Sequence, residues 1–179
     1  MKIIKRILFV ILGFILLALI AALIMPKEYA VEREIVINKP NDSVFNYIKY
    51  LKNQDNFSVW SRTDPNMKKT FTGVDGTVGA VAAWESENKN VGVGEQEIKN
   101  ILPNERIDFE LRFKKPFEST DNAYFSTEGI SSKETKVKWG FNGKMPYPMN
   151  LMLPILNMDE MLGKDLEKGL VDLKVLLEK

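Results

Sequence analysis

At 179 residues the chain has room for one membrane segment and one folded domain. Its 25 Lys and Arg face 24 Asp and Glu, a formal net charge of +1, so no cationic excess is available to neutralise phosphates and no nucleic-acid partner is expected. The absence of both Cys and His removes disulfides, thiolate and imidazole metal sites, and the Ser-His-Asp and Cys-His catalytic arrangements. Any catalysis would rest on Asp, Glu, Lys, Tyr or a bound cofactor, and the sequence specifies no cofactor.

The chain begins "MKIIKRILFVILGFILLALIAALIMPKEYA", and from Ile7 to Met25 no side chain is charged or strongly polar. At about 1.5 Å per residue that run is roughly 28 Å of helix, close to the roughly 30 Å hydrocarbon core of a bilayer. A transmembrane anchor over residues 1–28 is expected, with a folded domain over 29–179. A cleaved signal peptide is the alternative, but the run exceeds the usual apolar core of about 7–15 residues and no A-x-A-like site precedes Pro26. Lys2, Lys5 and Arg6 outweigh Lys27 across the run, which places the N-terminus in the cytoplasm and the domain on the other side of the membrane.

"YAVEREIVI" (29–37) alternates Val31, Ile35 and Ile37 with Glu32 and Glu34, predicting a half-buried strand whose apolar face is interrupted by Arg33. Pro40, Asn41 and Asp42 then signal a helix start before Val44, Tyr47, Ile48 and Leu51, which recur at helical spacing. Gly73, Gly76 and Gly79 precede a strand where a phosphate loop needs a helix, so they read as a turn. Glu95 and Glu97 share a strand face, either as a carboxylate pair or as solvated strand residues.

"RIDFELRF" alternates strictly, with Ile107, Phe109, Leu111 and Phe113 on one side. "AYFSTEG" and "TKVKWGFN" repeat the pattern, with the intervening turn expected at Glu128 to Lys133. The C-terminal helix is expected to begin with Met145, Met149, Met152, Met158 and Met161, approached through a stretch punctuated by Pro146, Pro148 and Pro154. This methionine-rich part suits either an ordinary core or an adaptable pocket with a gate. Leu162, Leu166, Gly169, Leu170, Leu173 and Leu177 then mark one face of a long helix, for which the sheet is the available partner. Asp159, Glu160 and Asp165 lack the loop glycine and spacing of a calcium site, so no metal is expected.

The order of "VEREIVINKP", "DSVFNYI", "FSVWSRTDPNM", "GTVGAVAAWE", "VGVGEQEI", "PNERIDFELRF", "TKVKWGFNG" and "LEKGLVDLKVLLE" resembles the START-like, Bet v 1-like superfamily (SRPBCC), and within it the bacterial polyketide cyclase/dehydrase-like group. The resemblance covers nearly everything after residue 29. It implies an α+β helix-grip fold, a curved antiparallel sheet wrapped around the long C-terminal helix, here preceded by one transmembrane helix. It also implies an internal cavity for a hydrophobic small molecule or lipid. The aromatic wall would come from Trp60, Phe71, Trp84, Phe109, Phe125, Trp139 and Phe141. Leu111, Met152, Leu156 and Met161 would add aliphatic surface, and Arg62 would serve either as a polar anchor at the rim or as an ion-paired surface charge. Two alternatives stay open. One is a cyclase/dehydrase-like enzyme with Arg62, Glu95, Tyr124 or Tyr147 moving protons; the other is an interaction domain whose core is filled by its own side chains. The oligomeric state is left open.

Overall fold

The computed structural model describes residues 2–179. Helix α1 (Lys2–Ile24) is 23 residues long and apolar enough to cross a membrane, and most of its side chains are exposed. Strand β1 (Glu28–Ile37) follows after Pro26, then helix α2 (Asn41–Ile48), a 3-10 turn (Leu51–Asn56) and the short helix α3 (Val59–Thr63). Strands β2 (Lys68–Thr72), β3 (Val81–Glu85), β4 (Val93–Leu102), β5 (Arg106–Lys115), β6 (Ser119–Ser131) and β7 (Glu134–Lys144) form a meander. A second 3-10 turn (Met149–Met152) leads to helix α4 (Met158–Leu177).

The seven strands make one antiparallel sheet in the order β1-β7-β6-β5-β4-β3-β2. Strand β1 pairs with the last strand, Glu28 opposite Lys144 and Ile37 opposite Thr135, so the two ends of the domain meet in the sheet. The period-two pattern sets the faces. Val31, Ile107, Phe109, Phe125, Val137 and Trp139 point inward and are buried, while Glu95, Glu97, Glu110 and Arg112 share the outer face. Helix α4 lays its leucine stripe on the inner face, with Leu166, Leu170 and Leu173 at 1% exposure or less.

One local expectation is revised. The β6–β7 connection is tighter than Glu128 to Lys133: the strands stay paired through Ser131 and Glu134, with a register irregularity after Gly129, because Ser132 and Lys133 alone reverse the chain, the Lys133 amide donating to Ser131 Oγ at 3.2 Å. Arg33 sits on the inward parity of β1, yet it does not spoil the core. Gly163 on α4 has no side chain there, and the guanidinium occupies that space to bind Asp159, Nη1 to Oδ1 and Nη2 to Oδ2 both at 2.8 Å. Gly73, Gly76 and Gly79 lie between β2 and β3 with φ of 78°, 80° and 85°, the left-handed geometry that a turn of this kind asks of glycine.

The core divides along the strands. Away from α1, the interior is packed by Val44, Ile48, Ile98, Ile107, Phe125 and Val137. Toward α1, the sheet and α4 stay apart and leave a hollow.

Candidate ligand-binding cavity

The hollow is a cavity of about 370 Å³, within the roughly 300–1,000 Å³ range of small-molecule sites. Its existence follows from small side chains on the inner face. Ala123 stands in register between Phe109 of β5 and Phe141 of β7, and Ala82 between Phe71 of β2 and Gln96 of β4. Methyl groups at these two places cannot reach α4. The floor is Trp139, whose ring meets Phe57 (5.7 Å) and Trp60 (5.9 Å) edge-on and Phe125 at 4.8 Å, so one side chain separates the packed half from the open half.

Of the residues singled out in the sequence, Trp60, Phe71, Trp84, Leu111, Trp139 and Phe141 line this space. The other six do not. Phe109 and Phe125, each 1% exposed, pack edge-on against one another one layer deeper. Arg62 turns away toward α4, where it donates to the Asp172 carboxylate and to the Phe57 carbonyl (3.2 Å); the ion-paired alternative describes its placement. Met152 and Met161 are exposed, and Leu156 borders a separate cleft beside the end of α1. The physical reason is that α4 starts only at Met158, so the preceding segment runs outside the sheet, and Met161 falls one position off the stripe that carries Leu162 and Leu166 into the cavity.

The wall also carries polar groups that periodicity did not single out. Gln54, in the 3-10 turn, has its Nε2 buried without a hydrogen-bond partner among the described residues. Asp121 is buried and accepts from Ser119 Oγ (2.8 Å) and the Lys144 amide (3.0 Å). Beside it the Tyr29 phenol is pushed up to about 12, first by burial and then by the Asp121 charge, so it stays a neutral donor at any physiological pH. Lys69 and Asp55 form an ion pair at 2.6 Å on another part of the wall, both partly exposed. The alternation Ser119, Asp121, Ala123 on β6 carried a signal for one of these, since it assigns Asp121 to the inner face; Gln54 sits in a turn with no period to read.

The groups named for proton transfer lie elsewhere. Glu95 and Glu97 are on the outer face, both bonded to Arg112 at 2.7 Å, and those bonds hold both carboxyls below the usual range. Tyr124 donates to Glu32 on the same outer face under the Arg106 guanidinium, and Tyr147 is exposed beside the Met149–Met152 turn. Among the described residues no group of three or more acidic side chains is placed to hold a metal ion.

A curved seven-stranded antiparallel sheet gripping a C-terminal helix, hollow at one end, is a Bet v 1-like fold. Solved structures share it: the Mll3558 protein of Rhizobium loti (14% identity, TM-score 0.60, 83% of this chain and 96% of that one), Ara h 8.0201 (12%, 0.54, 85% and 99%), and DynU16 from the dynemicin biosynthetic locus (13%, 0.54, 84% and 47%). The sequence itself matches no protein-family profile and no curated protein. At these identities the likeness is one of fold.

Proposed function

We propose that the chain is a membrane-anchored START-like module that holds a hydrophobic small molecule or lipid in its internal cavity. The observation that carries the reading is the cavity itself: about 370 Å³, walled by Trp60, Phe71, Trp84, Leu111, Trp139 and Phe141, with a few polar groups on an otherwise apolar surface. An unpartnered Gln54 amide and the neutral Tyr29 phenol suit a ligand with an apolar body and at least one hydrogen-bond acceptor. Space of this size argues against a core filled by its own side chains. Residues 1–28 form the anchor in this reading and 29–179 the binding domain, with the N-terminus cytoplasmic because Lys2, Lys5 and Arg6 flank that end of the apolar run.

The test is native mass spectrometry of the full chain purified in mild detergent from its own host, with organic extraction of the denatured protein. A discrete co-purifying apolar compound that is displaced by a hydrophobic fluorescent probe is the expected result. A bare protein mass together with no probe binding would sink the reading.

A further inference from the structure

The fourteen residues from Met145 to Met158 include no charge. Their polar side chains are Tyr147, Asn150 and Asn157, and two of these are taken up by helix ends. Asn157 Oδ1 caps α4 by accepting from the Glu160 amide at 3.1 Å. Asn150, at 0% exposure, reaches back to α1. Pro26 has no amide hydrogen, so the Ala22 carbonyl lacks the donor four residues ahead that a helix normally supplies. Asn150 Nδ2 takes its place, donating to Ala22 O at 2.7 Å and Met25 O at 3.2 Å. With Asn150 buried and Asn157 turned onto the end of α4, what the segment exposes is largely apolar: Met149 is 54% exposed and Ile155 74%.

The Asn150 contact also fixes a depth. Ala22 lies three residues before the end of the apolar run at Met25, about 4.5 Å along the helix axis. Where α1 crosses a bilayer, the Met149–Met152 turn therefore stands level with the hydrocarbon edge, within the roughly 5–10 Å to which interfacial segments sink. Tyr147 beside it is an amphipathic ring of the kind found at that boundary. The β5–β6 connection, with Phe117 79% exposed, projects from the same end of the sheet as Glu28 and Lys144. Tyr29 lines both the cavity and the cleft between α1 and this segment.

We propose that the segment 147–156, together with Phe117, rests on the lipid bilayer at the headgroup–acyl boundary and holds the hollow end of the sheet toward the membrane. Asn150 is the positioning residue that locks the segment to the anchor. An apolar ligand then passes between lipid and cavity at the membrane surface. This rests on the anchor reading above and adds to it a lipid-facing orientation.

The absence of native Cys allows single labels at Ile155→Cys, Phe117→Cys and, on the β6–β7 hairpin at the opposite end of the sheet, Ile130→Cys. Each full-length variant carries an environment-sensitive dye and is reconstituted in phosphatidylcholine–phosphatidylglycerol vesicles, with or without lipids spin-labelled near the top of the acyl chain. The expected result is that all three float with the vesicles, while the labels at 155 and 117 lose emission several-fold to the spin label and the label at 130 does not. Adding Asn150→Leu to the 155-labelled chain leaves flotation intact and removes most of that quenching; full quenching retained would overturn the positioning role. A floating chain whose 155 label is quenched no more than its 130 label overturns the bilayer contact and leaves the anchor standing. Failure to float overturns both. A 155 label that ignores the lipid quencher yet is shielded from aqueous iodide assigns the face to a second copy of the chain and overturns the proposal.

Discussion

Two glycines on α4 look alike in sequence and differ in what fills their missing side chains. At Gly169 a Cβ would stand 2.6 Å from Trp139 Cζ3, and that ring is held by Phe57, Trp60 and Phe125. Gly169→Ala is therefore expected to destabilise: overpacking costs about 1–3 kcal/mol and outweighs the ~1 kcal/mol that alanine adds to a helix. At Gly163 the intruding group is the Arg33 guanidinium, which would have to loosen its pairing with Asp159; for so exposed a pair that costs little and is offset by what alanine adds to the helix, so Gly163→Ala stays near neutral. Urea unfolding of the full chain in mild detergent, followed by tryptophan emission, compares the two. On the outer face, Arg112 gathers Glu95, Glu97 and Glu110. Hydrogen bonds from Arg112 hold Glu95 and Glu97 below their ordinary 4.5. Their contribution is present above that value and is lost as pH falls through the lowered folded range. Arg112→Gln should accordingly reduce the unfolding free energy near neutral pH by about 1 kcal/mol for partly exposed pairs, read as a lower urea midpoint, and the gap from the parent should close in acid.

Helix α4 shows which parts of an element can be read before a structure exists. The stripe Leu162, Leu166, Leu170, Leu173 identified its buried face, and those residues line the cavity or the packed core. Its start was harder to read, because the uncharged approach segment from Met145 and the first helical residue Met158 share one apolar character. Only the cap separates them: Asn157 Oδ1 accepts from the Glu160 amide, and the Glu160 carboxylate answers Asn157 Nδ2 at 3.3 Å. Asn157→Ala is expected to cost about 1 kcal/mol in the same unfolding experiment, with Asn157→Ser restoring most of it. Strands were more legible, since alternation over β5, β6 and β7 assigns each residue a face. Which inward residues border empty space was not legible. Phe109 and Phe141 have the same parity and chemistry and stand at the same level on either side of Ala123, yet Phe109 packs against Phe125 in the filled half while Phe141 borders the space.

At the scale of the whole molecule, the domain is solid at one end and hollow at the other, and the hollow end is the one nearest the apolar helix. Ala82 and Ala123 create that asymmetry, so filling one of them should abolish the cavity without disturbing the packed half. Ala82→Trp is expected to weaken binding of a hydrophobic fluorescent probe about tenfold or more, a loss of roughly 1.4 kcal/mol, while thermal unfolding remains a single transition. Equal probe affinity in the variant would place the probe outside the cavity. The sheet-and-helix architecture was readable because every strand repeats one rule. The polar wall was not, because Gln54, Asp55 and Lys69 are brought to the cavity by a turn and an edge strand whose partners lie elsewhere in the chain.

The pairing of β1 with β7 also dictates an order of events during synthesis. Glu28 finds Lys144 only after more than a hundred further residues have been made, on the order of ten seconds at about 5–20 residues per second. Throughout that wait the β1 segment has no partner on either edge, the arrangement most prone to joining a neighbouring chain. Glu28, Glu32, Arg33 and Glu34 punctuate it with charge. In the finished sheet each of them has a partner, Lys144, Lys138 or Asp159; in the nascent chain the same four residues keep an unpaired strand soluble until its partner arrives.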